Sequence, residues 1–300
     1  MSRHVRPILL CAVLAALMPL HLSAQEVTIE TARGPVTLAQ MPERIAVYDI
    51  AAIDTLTALD VPVAGVPDRL YLDSLAAVQD SAAVIGTLFE PDLEGLAMLG
   101  PDLIIVGGRS STQFDAVAAL APVIDMTIWD DPLAEARARL VAYGALFDKA
   151  DVAAALDGAL LARIEALRDA VQGKGNALIV MTNGPKLSAY GRGTRFGWIH
   201  ETLGLAEAHA DLDPQVHGDA ISFEFIAKVD PDWLIVVDRS AAIGQPASVS
   251  ATLDNPLVAG TKAAQAGRIV ALSPAPVYIA AGGYSALMTT LDELLAAFAG

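Results

Sequence analysis

Short apolar runs alternate with stretches of helical period along most of this chain. Residues 103–106 (LIIV) and 233–237 (WLIVV) are apolar at every position. Unbroken runs of that kind suit parallel strands covered on both faces. Further strands are predicted at 44–48, 62–66, 83–85, 177–182 and 268–272. Helices are predicted at 51–59, 112–120, 197–203 and about 283–298. From about 131 to 172 the pattern is helical. Within that region Val152, Leu156, Leu160, Ile164, Leu167 and Val171 recur three or four residues apart. They make one face of a helix of about 20 residues, which Gly173-Lys174-Gly175 ends.

Two of these units repeat. EGLAMLGPDLIIVGGR at 94–109 matches EFIAKVDPDWLIVVDR at 224–239, with an offset of 130 throughout. The pairs include Glu94 with Glu224, Pro101 with Pro231, Asp102 with Asp232, and Arg109 with Arg239. Each copy reads as a short helix, a Pro-Asp turn and an apolar strand, so two lobes built alike are expected. The expected class is α/β, with two similar lobes around mostly parallel sheets joined by one long helix. The expected boundaries are 25–148 for the N-terminal lobe, 149–174 for the interlobe helix and 175–300 for the C-terminal lobe.

Residues 1–24 stand apart from this plan. Arg3 and Arg6 precede an apolar run from Ile8 to Leu20, and Ser23-Ala24 follow. That is the pattern of a cleaved secretory leader, and the run is too short to span a bilayer. The one cysteine, Cys11, lies inside it. Ile8, Leu9 and Leu10 before it are bulky where a lipid-anchored Cys needs small neighbours, so no lipoprotein is expected. The expected mature protein is soluble and exported, free of disulfides, and stabilised by its core alone.

The chain carries a net charge of −16, and −18 once the leader and its two Arg are removed. Such a surface argues against nucleic acid or an anionic membrane as partner. It also makes clustered Arg informative. Arg109 and Arg239 stand just past the carboxyl ends of matching strands, where open α/β units bind ligands. The loop YGRGTRFG at 190–197 adds Arg192 and Arg195. Any one of these could simply solvate a loop. Several at strand ends of so acidic a chain point to a shared anion site. His217 stands in a loop ahead of the second repeat unit, and Tyr278 follows the strand at 268–272, again at a carboxyl end. A lone His is more often structural, and Tyr278 could equally cap the core. Imidazole and phenolate are also both good donors for iron. His200 and His209 read as structural.

Enzyme signatures fail. GRGTRF has Phe196 where a dinucleotide fingerprint needs its third Gly. GYSAL lacks the last Gly of a nucleophile elbow. No catalytic residue is assigned and no enzyme is expected.

At this point the sequence resembles the periplasmic substrate-binding proteins of iron–siderophore ABC importers, the class with a rigid interlobe helix. The carriers are RIAVYD at 44–49, LEGLAMLGPDLIIVGGR at 93–109, SAYGRGTRFGWIHETLG at 188–204, HGDAISFEFIAKVDPDWLIVVDR at 217–239 and YIAAGG at 278–283. Together they resemble the subgroup that binds ferric catecholates. That resemblance implies a cationic floor of Arg109, Arg195 and Arg239, with Arg192 as a fourth. It implies that His217 and Tyr278 complete the iron shell when the siderophore supplies four oxygens. It implies that Glu94 and Glu224 dock onto an inner-membrane permease, one per lobe, although each would also complement its helix dipole. A monomer with no intrinsic cofactor follows, its ligand a Fe(III)–siderophore. Haem or another metal chelate is the alternative within the class. An exported hydrolase is a remoter one, as is a binder of bare Zn or Mn, which the shortage of His disfavours.

Overall fold

A computed structural model describes residues 26–129, 131–213, 218–246 and 249–300. The leader (with Cys11) and His217 lie outside the described residues. The chain opens with an antiparallel hairpin, β1 (Val27–Thr31) and β2 (Gly34–Leu38). The first lobe is then a parallel sheet of β3 (Ile45–Val47), β4 (Gly65–Val66), β5 (Ala83–Val84), β6 (Leu103–Val106) and β7 (Val123–Asp125). Its order is β5-β4-β3-β6-β7. The second lobe holds β8 (Asn176–Asn183), β9 (Lys186–Tyr190), β10 (Ala206–Glu207), β11 (Asp219–Ile221), β12 (Trp233–Asp238) and β13 (Ile269–Ala271). Its order is β11-β9-β8-β12-β13, with β10 beside β8. The fold is α/β, two similar lobes joined by one long helix.

Nine helices carry the argument. They are α1 (Ile50–Ala58), α2 (Leu93–Leu99), α3 (Pro132–Leu146), α4 (Ala150–Val171), α5 (Trp198–Leu203), α6 (Phe223–Val229), α7 (Arg239–Ala242), α8 (Pro274–Tyr278) and α9 (Tyr284–Ala299).

The all-apolar strands are covered on both faces. In β6, Leu103 and Ile105 join one core while Ile104 and Val106 join another. In β12, Trp233, Ile235 and Val237 face one cluster, and Leu234 and Val236 the next. The repeat is structural. Both α2 and α6 have seven residues, an N-cap side chain that accepts a backbone N–H (Asp92, Ser222), and a left-handed residue at the end (Gly100, Asp230). Asp102 then accepts the N–H groups of Glu43 and Arg44 at the entrance to β3. Asp232 accepts that of Asn176 at the entrance to β8. The Pro-Asp turn thus anchors the neighbouring strand in each lobe.

The helical region at 131–172 is two helices, α3 and α4, which pack on each other. Asp148, in the left-handed region at φ 55, lies in the turn between them. The long helix touches both cores: Ala153 joins that of the first lobe, while Leu160, Ile164, Leu167 and Val171 join that of the second. At 22 residues it is about 33 Å long. Val152, assigned to the apolar stripe, is exposed.

Among the elements that differ from the sequence reading, three bear on the architecture. The hairpin at 27–38 was not anticipated. It caps the first lobe through Ile29 and Leu38, and Arg33 at its tip pairs with Asp125 at 2.9 Å. The predicted helix at 112–120 is a 3-10 segment, Gly108–Gln113, running into Phe114–Val117. An antiparallel strand, β9, stands between β8 and the 190–197 loop, so the second sheet is mixed.

The lobes also meet at the start of α9. Its N-cap, Gly283, has no side chain to offer. The cap comes from α1: Asp54, 1% exposed, accepts the N–H of Ala286 at 3.0 Å, and Thr55 Oγ1 accepts that of Tyr284 at 3.2 Å. A Cβ on Gly283 would lie 2.6 Å from the Asp54 carboxylate, so this close approach requires glycine.

Burial pushes the Asp54 carboxyl up to about 6, against the hydrogen bonds from Ala286 and Ser285. The folded protein therefore binds this proton more tightly than the unfolded chain. Its stabilising contribution is complete below the ordinary carboxylate range and is lost as pH rises through about 6. Urea unfolding at a series of pH values between about 4 and 7 is expected to show this term as a slope of up to about 1.4 kcal/mol per pH unit. Asp54→Asn is expected to flatten the profile, leaving the slope due to Asp49, which burial also raises to about 6. An unchanged profile would exclude Asp54 as its source.

Candidate functional site

Four side chains meet where the two sheets present their carboxyl edges to each other. Arg109 follows β6, next to the point where the first sheet's order reverses. Arg239 follows β12, which lies beside β8 in the second. Arg195 comes from the loop after β9, and Tyr278 ends α8. All four are half-buried.

Each guanidinium is held by protein oxygens, one of them shared between two arginines. Arg109 donates from Nη2 to the Tyr278 carbonyl at 3.0 Å and from Nη1 to the Ile279 carbonyl at 3.3 Å, a contact between lobes. Arg195 donates from Nη2 to the Tyr278 carbonyl. Arg239 donates from Nε to the Tyr278 phenol oxygen at 3.0 Å and from Nη1 to Asn183 Oδ1 at 3.3 Å. The three guanidinium carbons stand 5.2, 4.2 and 5.9 Å from the centre of the Tyr278 ring, in that order. Cations over a ring face are attracted by its quadrupole.

The electrostatics follow from this crowding. Burial alone would raise the Tyr278 phenol. The Arg239 hydrogen bond and the charges of Arg195, Arg239 and Arg109 outweigh it and bring the pKa below the ordinary tyrosine value. Arg195 is lowered, chiefly by burial and then by Arg109 beside it. Tyr190 shows what burial does without so many partners: it is pushed up to about 12. A phenol whose pKa is lowered by three nearby cations is better suited to bind as phenolate to a metal.

Not every residue expected here is present. Arg192 turns away and is held by Glu207 at 3.1 Å and by the His200 carbonyl. His200 is buried, with Nδ1 at 3.1 Å from the Leu205 carbonyl, and His209 packs edge-on to Phe225. Both are structural, as their sequence context suggests. Glu94 and Glu224 are exposed in the first turns of α2 and α6. Among the described residues, no three His, Cys, Asp or Glu side chains gather to hold a bare metal ion. No described helix is long and apolar enough to cross a membrane.

Two contributors escaped the sequence reading. Asn183, at the end of β8, accepts from Arg239 and from Ser240. Asp49 caps α1 by accepting the Ala52 N–H and feels the charge of Arg109. Both sit at carboxyl ends of strands, the signal that identified the arginines.

Residues 45–276 match the model of a family described as periplasmic binding protein. The chain is 31% identical over 261 residues to the petrobactin-binding protein YclQ of Bacillus subtilis, covering 84% of this chain and 81% of that protein. The structure of YclQ superposes with a TM-score of 0.86, over 92% of this chain and 99% of that one. The ferric-anguibactin-binding protein FatB of Vibrio anguillarum is 27% identical over 282 residues, 90% of this chain and 86% of that protein. The structure of the periplasmic catecholate-siderophore binding protein VctP of Vibrio cholerae superposes with a TM-score of 0.83 at 30% identity, covering 91% and 100%.

The acidity of Tyr278 is directly measurable. The near-ultraviolet phenolate band of the purified protein is expected to contain one tyrosine that ionises below the ordinary range, absent in Tyr278→Phe. In Arg239→Gln that step should move to higher pH. A titration unchanged by Tyr278→Phe would assign the acidic group elsewhere.

Proposed function

We propose that this chain, which belongs to the periplasmic binding protein family, captures an anionic ferric siderophore of the catecholate type and delivers it to the permease of an ABC importer. The observation that carries this is the convergence of Arg109, Arg195 and Arg239, from three separate segments of the chain, on the Tyr278 phenol, whose pKa they lower. The names of YclQ, FatB and VctP support it. The protein acts as a binding protein and not an enzyme, works as a monomer in the periplasm, and is exported by residues 1–24. Residues 25–148 and 175–300 are the two walls of the cleft, and 149–174 the strut between them.

Roles follow from the chemistry. Iron held by two catecholates keeps a net negative charge. The three guanidinium groups supply charge-assisted hydrogen bonds to the catecholate oxygens, each stronger than a neutral one. A four-oxygen siderophore leaves two iron positions open. Tyr278 supplies one as phenolate, since a bound cation lowers its pKa further. His217 supplies the other. Arg192, tied to Glu207, has no part in this site. Glu94 and Glu224 meet basic groups on the permease, one on each lobe.

The test is a titration of the mature protein with a ferric bis-catecholate, read by visible absorbance and tryptophan quenching. Tight binding is expected, with a charge-transfer band that moves in Tyr278→Phe and in His217→Ala. Arg195→Ala should weaken it about 10- to 100-fold, the cost of one charged hydrogen bond. Absence of binding would overturn the reading. Reversing the charge of Glu94 and Glu224 together is expected to abolish uptake in cells while leaving affinity unchanged; loss of affinity as well would sink the docking role.

A further inference from the structure

We propose that Arg69, Tyr71 and Gly244 form a second anion subsite at one end of the cleft, which receives a carboxylate arm of the ferric chelate. The inference rests on the siderophore reading above. Arg69 follows β4 and Arg109 follows β6, the two strands that flank β3. Both therefore emerge on the edge that carries the site. Arg69 is exposed, and its guanidinium carbon stands 4.6 Å from the centre of the Tyr71 ring.

Two backbone features fix this arrangement. Tyr71 is in the left-handed region, φ 66, which is uncommon for a residue with a bulky side chain and costs energy. It also packs against the core of the first lobe. Gly244, just past α7 in the second lobe, has φ 76, and a Cβ there would lie 2.1 and 2.6 Å from the two terminal nitrogens of Arg69. Any side chain at 244 would displace the guanidinium. A cation of one lobe thus rests on the bare backbone of the other.

Arg69 is also uncommitted. Among the described residues, every arginine except Arg69 and Arg268 hydrogen-bonds or ion-pairs with an oxygen. Arg268 lies over Trp233 at the start of the strands, the opposite edge of the sheet. Tyr71 lies on its face and Gly244 across its Nη1–Nη2 edge, so Arg69 has its Nε–Nη2 edge left to offer. That edge is a planar fork of donors, the geometry that fits a carboxylate and not another ring. Gly244 is five residues beyond Arg239, about 7 Å at a helical rise. An arm reaching that far lies outside the oxygens that hold the iron.

The experiment titrates the mature protein with two ferric complexes, one of a bis-catecholamide bearing a free carboxylate and one of its carboxamide analogue. Arg69→Ala is expected to weaken the carboxylate complex about tenfold or more, with little effect on the carboxamide. Arg69→Lys should recover part of the loss. Gly244→Ala should reproduce Arg69→Ala, with thermal melting as the check on folding. If Arg69→Ala weakens both complexes alike, or neither, the subsite is wrong while the siderophore reading stands. If the parent protein binds neither complex, that reading fails and the subsite with it.

Discussion

Three guanidinium groups gathered around one ring repel one another, and removing them from water makes the repulsion worse. Their convergence therefore depends on oxygens that hold each in place. All but one of those oxygens belong to a single short segment: the Tyr278 and Ile279 carbonyls and the Tyr278 phenol. Asn183 is the exception. The site is as well defined as that segment is. Helix α9 holds it at both ends. Glu293, on α9, accepts from Ser273, the residue before α8. Beyond the segment, α9 begins under the cap that Asp54 and Thr55 provide from α1. A buried carboxylate in the first lobe thus helps place a phenol in the second.

Much of this was legible in the sequence because it rests on local periodicity. The match of 94–109 with 224–239 placed two arginines at equivalent strand ends without any three-dimensional information, and the strand-end rule brought Tyr278 with them. What was not legible depends on pairings between distant segments. The hairpin at 27–38 alternates weakly and is recognised as a cap only through distant contacts, among them the Arg33–Asp125 pair, 92 residues apart. Arg192 and Arg195 look alike in GRGTRF. Glu207, at the end of β10, takes one and leaves the other for the cleft. Asp54 reads as an ordinary helix residue, since nothing local shows that the helix N-terminus it caps lies 230 residues on.

The repeat conserves scaffold and diverges at the site. Asp102 and Asp232 do the same work in both lobes, tying a helix–turn–strand unit to the strand beside it. The arginines that end the two copies do not. Arg109 crosses to the other lobe for its carbonyls, whereas Arg239 stays within its own, between Tyr278 and Asn183. One wall of the cleft thus reaches over, and the other supplies the surface it reaches.

This asymmetry bears on what binding requires. A guanidinium has five N–H donors. Arg109 and Arg239 each engage two nitrogens, and Arg195 one, so every member keeps donors in reserve. An incoming anion can be met without breaking the bonds that organise the site. The side chains are already ordered, which lowers the cost of association. The long helix packs into both cores, and the α1–α9 cap ties the lobes a second time. The three arginines are therefore organised without the lobes having to close around a ligand.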